Sequence, residues 1–296
     1  MSVPSAAVQR LRLRTELRRA RQAAVLTQRE VAVRMEWSPS KLLRIESGEV
    51  GISVNDLRAL LAVYGVADRQ LVDTLLELAR GSRRMPYAEY RDVFSKEFIQ
   101  FLALEASASV CRYFNNLQVP RLLQTEEYAR AIAESSVGGR LDETHERMLE
   151  AQMSRQDLLQ ADEGPQVDCV LDEAVLHRQV GGRRVMRAQL LRIAELCDHP
   201  RVRIGVIPFS LGVYPGLQGS FTLFEFVADG MPDSLYLENP GGEFVSSTAL
   251  AETGPYLERF WQLEDLSIRQ EVGELVQRLA QRIDAGADDL AALLRE

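Results

Sequence analysis

Apolar and polar residues alternate along the first 80 residues with the period of an amphipathic α-helix. In residues 8–24, Leu11, Leu17, Ala20 and Ala24 fall on one face, whereas most of the arginines fall on the other. Four shorter runs with the same period follow. The pattern predicts a five-helix bundle, with helices over residues 8–24, from 27 to a turn at 35–37, from 38 onward, over 53–64 and over about 68–80.

The second and third helices carry clear start signals. Thr27 stands three positions before Glu30, which is the spacing of a capping box that satisfies backbone N–H groups at a helix start. Ser38 is a good N-cap, and Pro39 suits the first helical position because its missing N–H costs nothing there. A tight turn over residues 35–37 therefore separates two short helices.

The apolar and polar residues of these two helices are distributed as in a DNA-binding helix pair. Apolar residues predicted to pack the two helices together are Val31, Ala32, Leu42 and Ile45. Ser40, Lys41 and Arg44 remain on the outer side of the second helix, where a helix-turn-helix places the side chains that contact DNA. The alternative is a helical hairpin that binds no DNA.

Residues 8–66 resemble the xenobiotic-response-element class of helix-turn-helix regulators, which includes small phage repressors. The matching positions are Thr27, Gln28, Ala32, Ile45, Glu46 and Gly48. The resemblance implies that Gln28 holds a phosphate through its amide and that the start of the following helix faces the major groove. The DNA-binding residues predicted on this basis are Gln28, Ser38, Pro39, Ser40, Lys41 and Arg44. Arg44 suits a bidentate contact to guanine.

The same resemblance makes two statements about the interior of the bundle. It implies that Arg21 pairs with Glu46, so that both residues are structural and do not read DNA. The class has glycine in the turn, where the backbone needs a positive φ, but this chain has Glu36. We expect a small cost to stability from that residue.

Beyond residue 81 the pattern changes to a mixture of helices and strands. Helices are predicted over 87–106, 125–135, 142–161, 183–197 and 263–283, and strands over 109–114, 167–171, 202–207, 221–227 and 235–237. This mixture is typical of an α+β domain with a small mixed sheet. The predicted organisation is a DNA-binding domain over 1–81, a hinge over 82–90, an α+β regulatory and partner-binding domain over 91–285 and a tail over 286–296.

Four sequence segments in the second half of the chain occur in the order found in another known protein family. Residues 119–131, 172–176, 206–209 and 221–223 resemble the C-terminal domain of antitoxin-like regulators from high-G+C Gram-positive bacteria. The resemblance covers about residues 87–280. It implies an antitoxin-like transcriptional regulator that binds a small partner protein encoded by an adjacent gene.

The distribution of charge fits a DNA-binding domain joined to an acidic one. The whole chain has a net charge of −8, but residues 1–80 hold 13 Lys and Arg against 9 Asp and Glu, which gives +4. Phosphate contacts act within a Debye length of roughly 8 Å, so a basic domain can bind DNA beside an acidic one. We expect the acidic part to reduce non-specific binding.

Catalytic signatures are absent, and neither a cofactor nor a metal is predicted. Cys111, Cys169 and Cys197 lack the spacing of a zinc site or disulfide framework and are expected to be reduced. His145 is expected to be solvated and His199 to complement a helix dipole, which leaves His177, after Asp172 and Glu173, as the one candidate site histidine. No signal peptide or membrane-spanning run is found, so a cytoplasmic protein is expected.

The loop over residues 208–219 is rich in glycine and proline but also carries apolar side chains. Two interpretations stay open. The loop can fold back onto the core of its own domain, or it can form a lid over an effector pocket or a docking edge for a companion protein.

These observations predict a sequence-specific transcriptional regulator that is not an enzyme. Because one recognition helix contacts few base pairs, we expect a homodimer on an inverted-repeat operator in double-stranded DNA. The alternative is a ligand-sensing transcription factor with a small-molecule pocket in its C-terminal domain. An enzyme fused to a DNA-binding domain is the least favoured hypothesis.

Overall fold

The N-terminal part of the chain is helical. The computed structural model describes residues 6–46, 50–81, 87–161, 164–227, 232–238 and 244–284, and these form two compact units. The helices of the first unit are α1 (Ala6–Ala23), α2 (Gln28–Arg34), α3 (Pro39–Glu46), α4 (Val54–Val63), α5 (Arg69–Gly81) and α6 (Lys96–Glu105). The five-helix prediction for the N-terminal region is confirmed.

One apolar core holds helices α1 to α5 together. It includes Leu17, Val31, Leu42, Leu57 and Leu75, one from each helix, all buried. Ser53 caps the start of α4, and Gly65, with φ of +72°, follows its end. The helical period of the sequence is therefore enough to place these residues inside.

The second unit is an α+β domain. Its strands are β1 (Val110–Asn115), β2 (Gln166–Asp172), β3 (Val202–Ile207), β4 (Phe221–Glu225), β5 (Ser234–Glu238) and β6 (Phe244–Ser247). Its helices are α7 (Glu126–Val137), α8 (Glu143–Ser154), α9 (Asp157–Gln160), α10 (Glu173–His177), α11 (Arg183–Cys197), α12 (Leu250–Leu266) and α13 (Val272–Asp284). The predicted fold class, mainly helical with an α+β C-terminal part, is confirmed.

The six strands form one mixed sheet in the order β3-β2-β1-β4-β5-β6. Strand β1 pairs in parallel with β2 and antiparallel with β4, and β2 pairs in parallel with β3. The remaining neighbours are antiparallel. The first three strands therefore end at the same edge of the sheet, which places Asp172, at the end of β2, beside the segment that follows β3.

Helices cover both faces of the sheet. On one face Phe114, Val170 and Leu223 pack against Phe260 and Leu263 of α12. On the other side α11 and α13 pack on each other and on β3. Because both faces are covered, the central strand β2 is almost continuously buried, with six successive residues inside.

Several predicted boundaries are wrong. The helix predicted over 87–106 begins only after Ser95, which caps α6, and the segment before it contains one 3₁₀ turn, Ala88–Tyr90. The helix predicted over 142–161 is two helices in the structure, α8 and α9. The helix predicted over 263–283 covers the end of α12 and most of α13, which are separated by a non-helical segment. Strand β6 and most of α12 were not predicted.

Some predictions fall outside the described residues. They include Gly48 of the helix-turn-helix signature, residues 82–86 of the hinge and the tail over 286–296. The proposed domain boundaries stay predictions. The helix α6, which the sequence assigned to the C-terminal domain, groups with the helical unit and contacts α1.

Candidate nucleic-acid interface

Helix α2 begins at the predicted capping box. The Thr27 N–H donates to Glu30 Oε2 over 2.8 Å, and the Glu30 N–H donates to Thr27 Oγ1 over 3.2 Å. The Thr27 N–H and the Thr27 hydroxyl, which also lies 2.8 Å from Glu30 Oε2, lower the pKa of the Glu30 carboxyl below its ordinary value, because both donate to the carboxylate. The reciprocal pair fixes the residue at which α2 starts.

The turn between α2 and α3 is tight. Glu36 has φ of 54°, so the residue that replaces the usual glycine does adopt the left-handed conformation. The Trp37 N–H donates to the carbonyl of Ala32 over 2.8 Å and closes the turn. Helix α3 then starts as predicted, with Pro39 in its first position and the Lys41 N–H donating to Ser38 Oγ over 3.2 Å.

The two helices pack through the predicted apolar residues. Val31, Ala32, Leu42 and Ile45 are all at most 4% exposed. Because the inner side of α3 is filled by apolar residues, Ser40 and Arg44 lie exposed on the outer side. The hairpin is therefore a rigid support for an exposed polar edge.

A buried polar cluster lies behind this edge. Glu46, at the end of α3, is fully buried. Its carboxylate accepts hydrogen bonds from Arg21 Nε over 2.7 Å and from Arg21 Nη2 over 3.1 Å. These hydrogen bonds raise the pKa of the Arg21 guanidinium above its ordinary value. Tyr64 also donates to Glu46 over 3.5 Å, and burial raises the pKa of its phenol. The implied Arg21–Glu46 pair is confirmed.

Gln28 belongs to the same cluster. Its Nε2 donates to Glu46 Oε2 over 2.8 Å, so one amide N–H is directed inward. The sequence did not indicate this contact. The phosphate contact implied by the family resemblance stays a prediction, and it would use the second N–H of that amide.

The remaining predicted DNA-binding residues lie along the outer edge of α3. Ser38, Ser40 and Arg44 are exposed, and the hydroxyls of Ser38 and Ser40 are 3.0 Å apart. Leu43, which was not predicted, is also 52% exposed. The backbone of Pro39 begins the helix, but its side chain lies outside the described part of the structure.

Lys41 has partners that the sequence did not reveal. Its Nζ lies 3.2 Å from Asp56 Oδ2 and 3.9 Å from the centroid of the Trp37 ring. Asp56 is in the first turn of α4, and Trp37 is in the turn before α3. The exposed edge of α3 is thus restrained at this position.

The C-terminal unit holds the second candidate region, the loop over 208–219. Tyr214 is buried and donates a hydrogen bond from its hydroxyl to Asp172, and the Phe209 N–H donates to Glu173 Oε2 over 2.7 Å. A side chain at Gly216 would collide with the ring of Phe114, because an added Cβ would lie 2.5 Å from it. The middle of the loop therefore folds back onto the core.

Other residues of the same loop remain exposed and border an open groove of about 410 Å³. Val213 is 85% exposed and Leu217 is 51% exposed. The opposite wall belongs to α12 and contains Pro255, Glu258, Arg259 and Gln262. The interpretation that the loop folds back onto its own domain thus holds for Tyr214 and Gly216, whereas the interpretation of the exposed portion as a lid or a docking edge stays a prediction.

The candidate histidine site takes part in anchoring this loop. His177 Nε2 lies 3.3 Å from Glu173 Oε1, and its ring centroid lies 5.6 Å from that of Phe209. Asp172 accepts the Ala174 N–H over 2.8 Å in addition to the Tyr214 hydroxyl. Asp172 therefore caps α10, and Asp172 and Glu173 together hold the 208–219 loop through hydrogen bonds.

The other two histidines have different surroundings. His145 lies 2.6 Å from Asp142, which caps the same helix, and its side chain is 34% exposed. His199 follows the end of α11 as predicted, but its ring bonds a carbonyl of α9, and its effect on a helix dipole stays a prediction. Its Nε2 donates to the Leu159 carbonyl over 2.9 Å and its Nδ1 accepts the Arg201 N–H over 3.2 Å, so the ring links α9 to the turn before β3.

The three cysteines are free thiols, as expected. Burial raises the pKa of the Cys169 thiol, and it raises that of Cys197 to about 11. Among the described residues no group of three His, Cys, Asp or Glu side chains could hold a metal ion. No helix in the described ranges has the length and apolar character needed to cross a membrane.

Comparisons with known proteins agree with the two-part organisation. A family model described as "Helix-turn-helix domain" matches residues 12–75. A model described as "Domain of unknown function (DUF5753)" matches residues 98–272, which is more than half of the chain. No curated protein and no solved structure matches. The helix-turn-helix prediction is confirmed, and the match supports a DNA-binding regulator.

Proposed function

We propose that this chain, which belongs to the family of the domain of unknown function DUF5753 and carries a helix-turn-helix domain, is a sequence-specific transcriptional regulator. We assign its DNA-binding domain to the xenobiotic-response-element class. The observation that carries the proposal is the outer edge of α3. This edge presents Ser40 and Arg44 to solvent while the opposite side of the helix is buried in the bundle.

The edge of α3 would enter the major groove of B-form DNA. Arg44 would donate two hydrogen bonds to a guanine, a contact that contributes about 1–3 kcal/mol of discrimination against another base. Ser38 and Gln28 would bind phosphates on either side and fix the register of the helix. The buried Glu46 cluster supports this function indirectly, because it holds the end of α3 in one position.

The proposal includes a homodimer. Helix α3 has eight residues and can contact only a few base pairs, so one copy provides little specificity. Two copies related by a two-fold axis would read half-sites about 34 Å apart in an inverted repeat. The C-terminal unit would provide dimerisation and would bind a small protein encoded by an adjacent gene, as implied by the resemblance to antitoxin-like regulators.

Selection of bound duplexes from a random DNA pool, with the full-length protein, tests this function. The expected product is an inverted repeat that a footprint shows to be protected on one face of the duplex. A solution mass measurement should give a dimer. Recovery of unrelated sequences, or a single half-site bound by a monomer, would contradict the proposal.

A second candidate function, ligand sensing, is favoured by the groove between the 208–219 loop and α12. Its volume of about 410 Å³ lies within the usual range of small-molecule sites. A metabolite that binds there should raise the melting temperature of the full-length protein, and substitution of Arg259 by Ala should abolish the shift. Co-purification of a small protein from the native host would instead favour the partner-binding function.

An enzymatic role is not part of the proposal. The candidate His177 lies beside Glu173, and the preceding carboxylates of Asp172 and Glu173 accept hydrogen bonds from the backbone of α10 and from the 208–219 loop. These contacts give Asp172 and Glu173 a structural role. The protein would act in the cytoplasm of its host cell, where chromosomal DNA is accessible to it.

A further inference from the structure

Lys41 is the only lysine in the predicted DNA-binding set, and the fold already provides it with a carboxylate and an aromatic ring. Its Nζ is 3.2 Å from Asp56 Oδ2 and 3.9 Å from the centre of the Trp37 ring. The side chains of Lys41 and Asp56 are 41% and 39% exposed. The ammonium group is therefore held at the protein surface without being buried.

The three residues come from different segments, and each segment is fixed independently. Trp37 packs against the helical core, and its N–H donates to the Ala32 carbonyl over 2.8 Å. The Asp56 N–H donates to Ser53 Oγ over 3.0 Å at the start of α4. Because both partners are anchored, they hold the Lys41 ammonium group in one position, although the lysine side chain is long and flexible.

A lysine on a DNA-facing surface ordinarily acts as a mobile point charge that binds any nearby phosphate. Such contacts are independent of sequence and add to binding on all duplexes. An adjacent carboxylate opposes them in two ways, since it competes for the ammonium group and repels the phosphate. The ion pair is half exposed and weak, so a well-positioned acceptor in the correct site can displace Asp56 at small cost.

We infer that Asp56 is a specificity-determining residue, which withholds Lys41 from phosphates of non-operator DNA and releases it only in the fitted complex with the operator. Asp56 acts through Lys41 and is a positioning residue. This inference rests on the proposed DNA-binding function. It adds a discriminating element on α4, outside the helix-turn-helix itself.

The test measures affinity for the selected operator and for a scrambled duplex of the same length and composition, over a range of salt concentrations. The full-length variants are Asp56→Asn, Lys41→Ala and the double variant. Asp73→Asn is the matched control, because it makes the same charge change at an exposed position on α5. Thermal melting of each variant verifies that the fold is retained.

Asp56→Asn should bind the scrambled duplex roughly three- to tenfold more tightly at low salt. The slope of its affinity against salt should become steeper by about one released ion, and the ratio of operator to scrambled affinity should fall. Asp73→Asn should leave that ratio unchanged. In the Lys41→Ala background, Asp56→Asn should have no remaining effect on the ratio.

Two results would overturn the inference. One is an operator-to-scrambled affinity ratio that is the same in Asp56→Asn as in the wild type. The other is that Asp56→Asn lowers the ratio by the same factor in the Lys41→Ala background as in the wild type. In both cases the wild-type protein would still prefer its operator, and the proposed function would stand. A wild-type protein that failed to distinguish the two duplexes would instead refute the proposed function itself.

Discussion

Arg21 and Glu46 form a two-pronged ion pair that joins the last turn of α1 to the last residue of α3. The two N–O distances are 2.7 and 3.1 Å, and the glutamate is completely buried. The Arg21 side chain is 15% exposed, so little water reaches the pair. The orientation of the predicted recognition helix therefore depends on a contact that lies on its inner side.

Removal of one partner should destabilise the helical unit strongly. Arg21→Ala would leave the Glu46 carboxylate buried without its cation, which typically costs about 3–5 kcal/mol. The loss is measured as the change in free energy of unfolding in urea. Arg19→Ala, at an exposed position on the same helix, should cost less than about 0.5 kcal/mol. Equal losses in the two variants would show that the ion pair contributes nothing special.

Arg44→Ala should change sequence preference and leave the fold intact, since Arg44 lies on the exposed edge of α3. Loss of a bidentate contact to guanine should reduce affinity for the operator by about 1–3 kcal/mol and affinity for scrambled DNA much less. Quantitative binding to duplexes with one altered base pair measures this effect. Arg69→Ala, at an exposed position of α5, is the control. A parallel fall in both affinities would assign Arg44 to phosphate contact.

The capping box of α2 should make stability depend on pH in acid. Hydrogen bonds from Thr27 lower the folded-state pKa of Glu30 below its unfolded value. Its stabilising contribution is therefore complete above the unfolded pKa and is lost as pH falls through the lower folded pKa. Glu30→Ala should melt at a lower temperature than the wild type at pH 7, and the difference should shrink towards pH 3. A difference that is constant over this range would contradict the assigned role.

Tyr214→Phe should loosen the 208–219 loop, because it removes the hydroxyl that donates to Asp172. Loss of a hydrogen bond to a charged group costs about 1.5–3 kcal/mol. Faster cleavage within the loop by a protease, together with a lower free energy of unfolding, would reveal the change. Tyr256→Phe is the matched control, since it removes a hydroxyl from a ring that packs against Phe221 and leaves the Tyr214–Asp172 hydrogen bond in place. Similar behaviour of both variants would argue against the anchor.

The native thiols should react slowly at neutral pH. With a pKa of about 11, Cys197 is ionised in only about one molecule in a thousand at pH 8. Its alkylation rate should rise about tenfold for each pH unit up to that pKa, whereas Cys111 and Cys169, both buried, should react only on unfolding. Mass spectrometry of the alkylated protein distinguishes the three sites. Rapid modification of Cys197 at pH 8 would contradict this environment.

Local signals in the sequence predicted much of the fold. The predicted cap Thr27 accepts the Glu30 N–H, the helices predicted from residues 53 and 125 begin directly after Ser53 and Thr125, and the helix predicted over 183–197 has those bounds in the structure. These signals depend on residues three or four positions apart, so they are legible without tertiary information. The predicted Val202–Ile207 strand was equally clear, because β-branched residues dominate it.

Features that depend on distant partners were missed. Helix α12 contains Gly254 and Pro255, which weaken a helical pattern, yet Phe260 and Leu263 secure it against the sheet. The short strand β6 has little apolar pattern of its own and is defined by its pairing with β5. At the proposed DNA-binding edge, neither Trp37 nor Asp56 could be linked to Lys41 from spacing alone, because their proximity is produced by the packing of three segments.

The order of the strands has a consequence for biosynthesis. Helices α1 to α5 complete their core from local sequence, and such a unit can fold while the ribosome is still translating the rest. Strand β1, in contrast, lies between β2 and β4 and must wait until both have been made. A nascent chain would thus possess a folded helix-turn-helix domain before the C-terminal sheet exists, so premature termination in the second half would release this domain without the sheet.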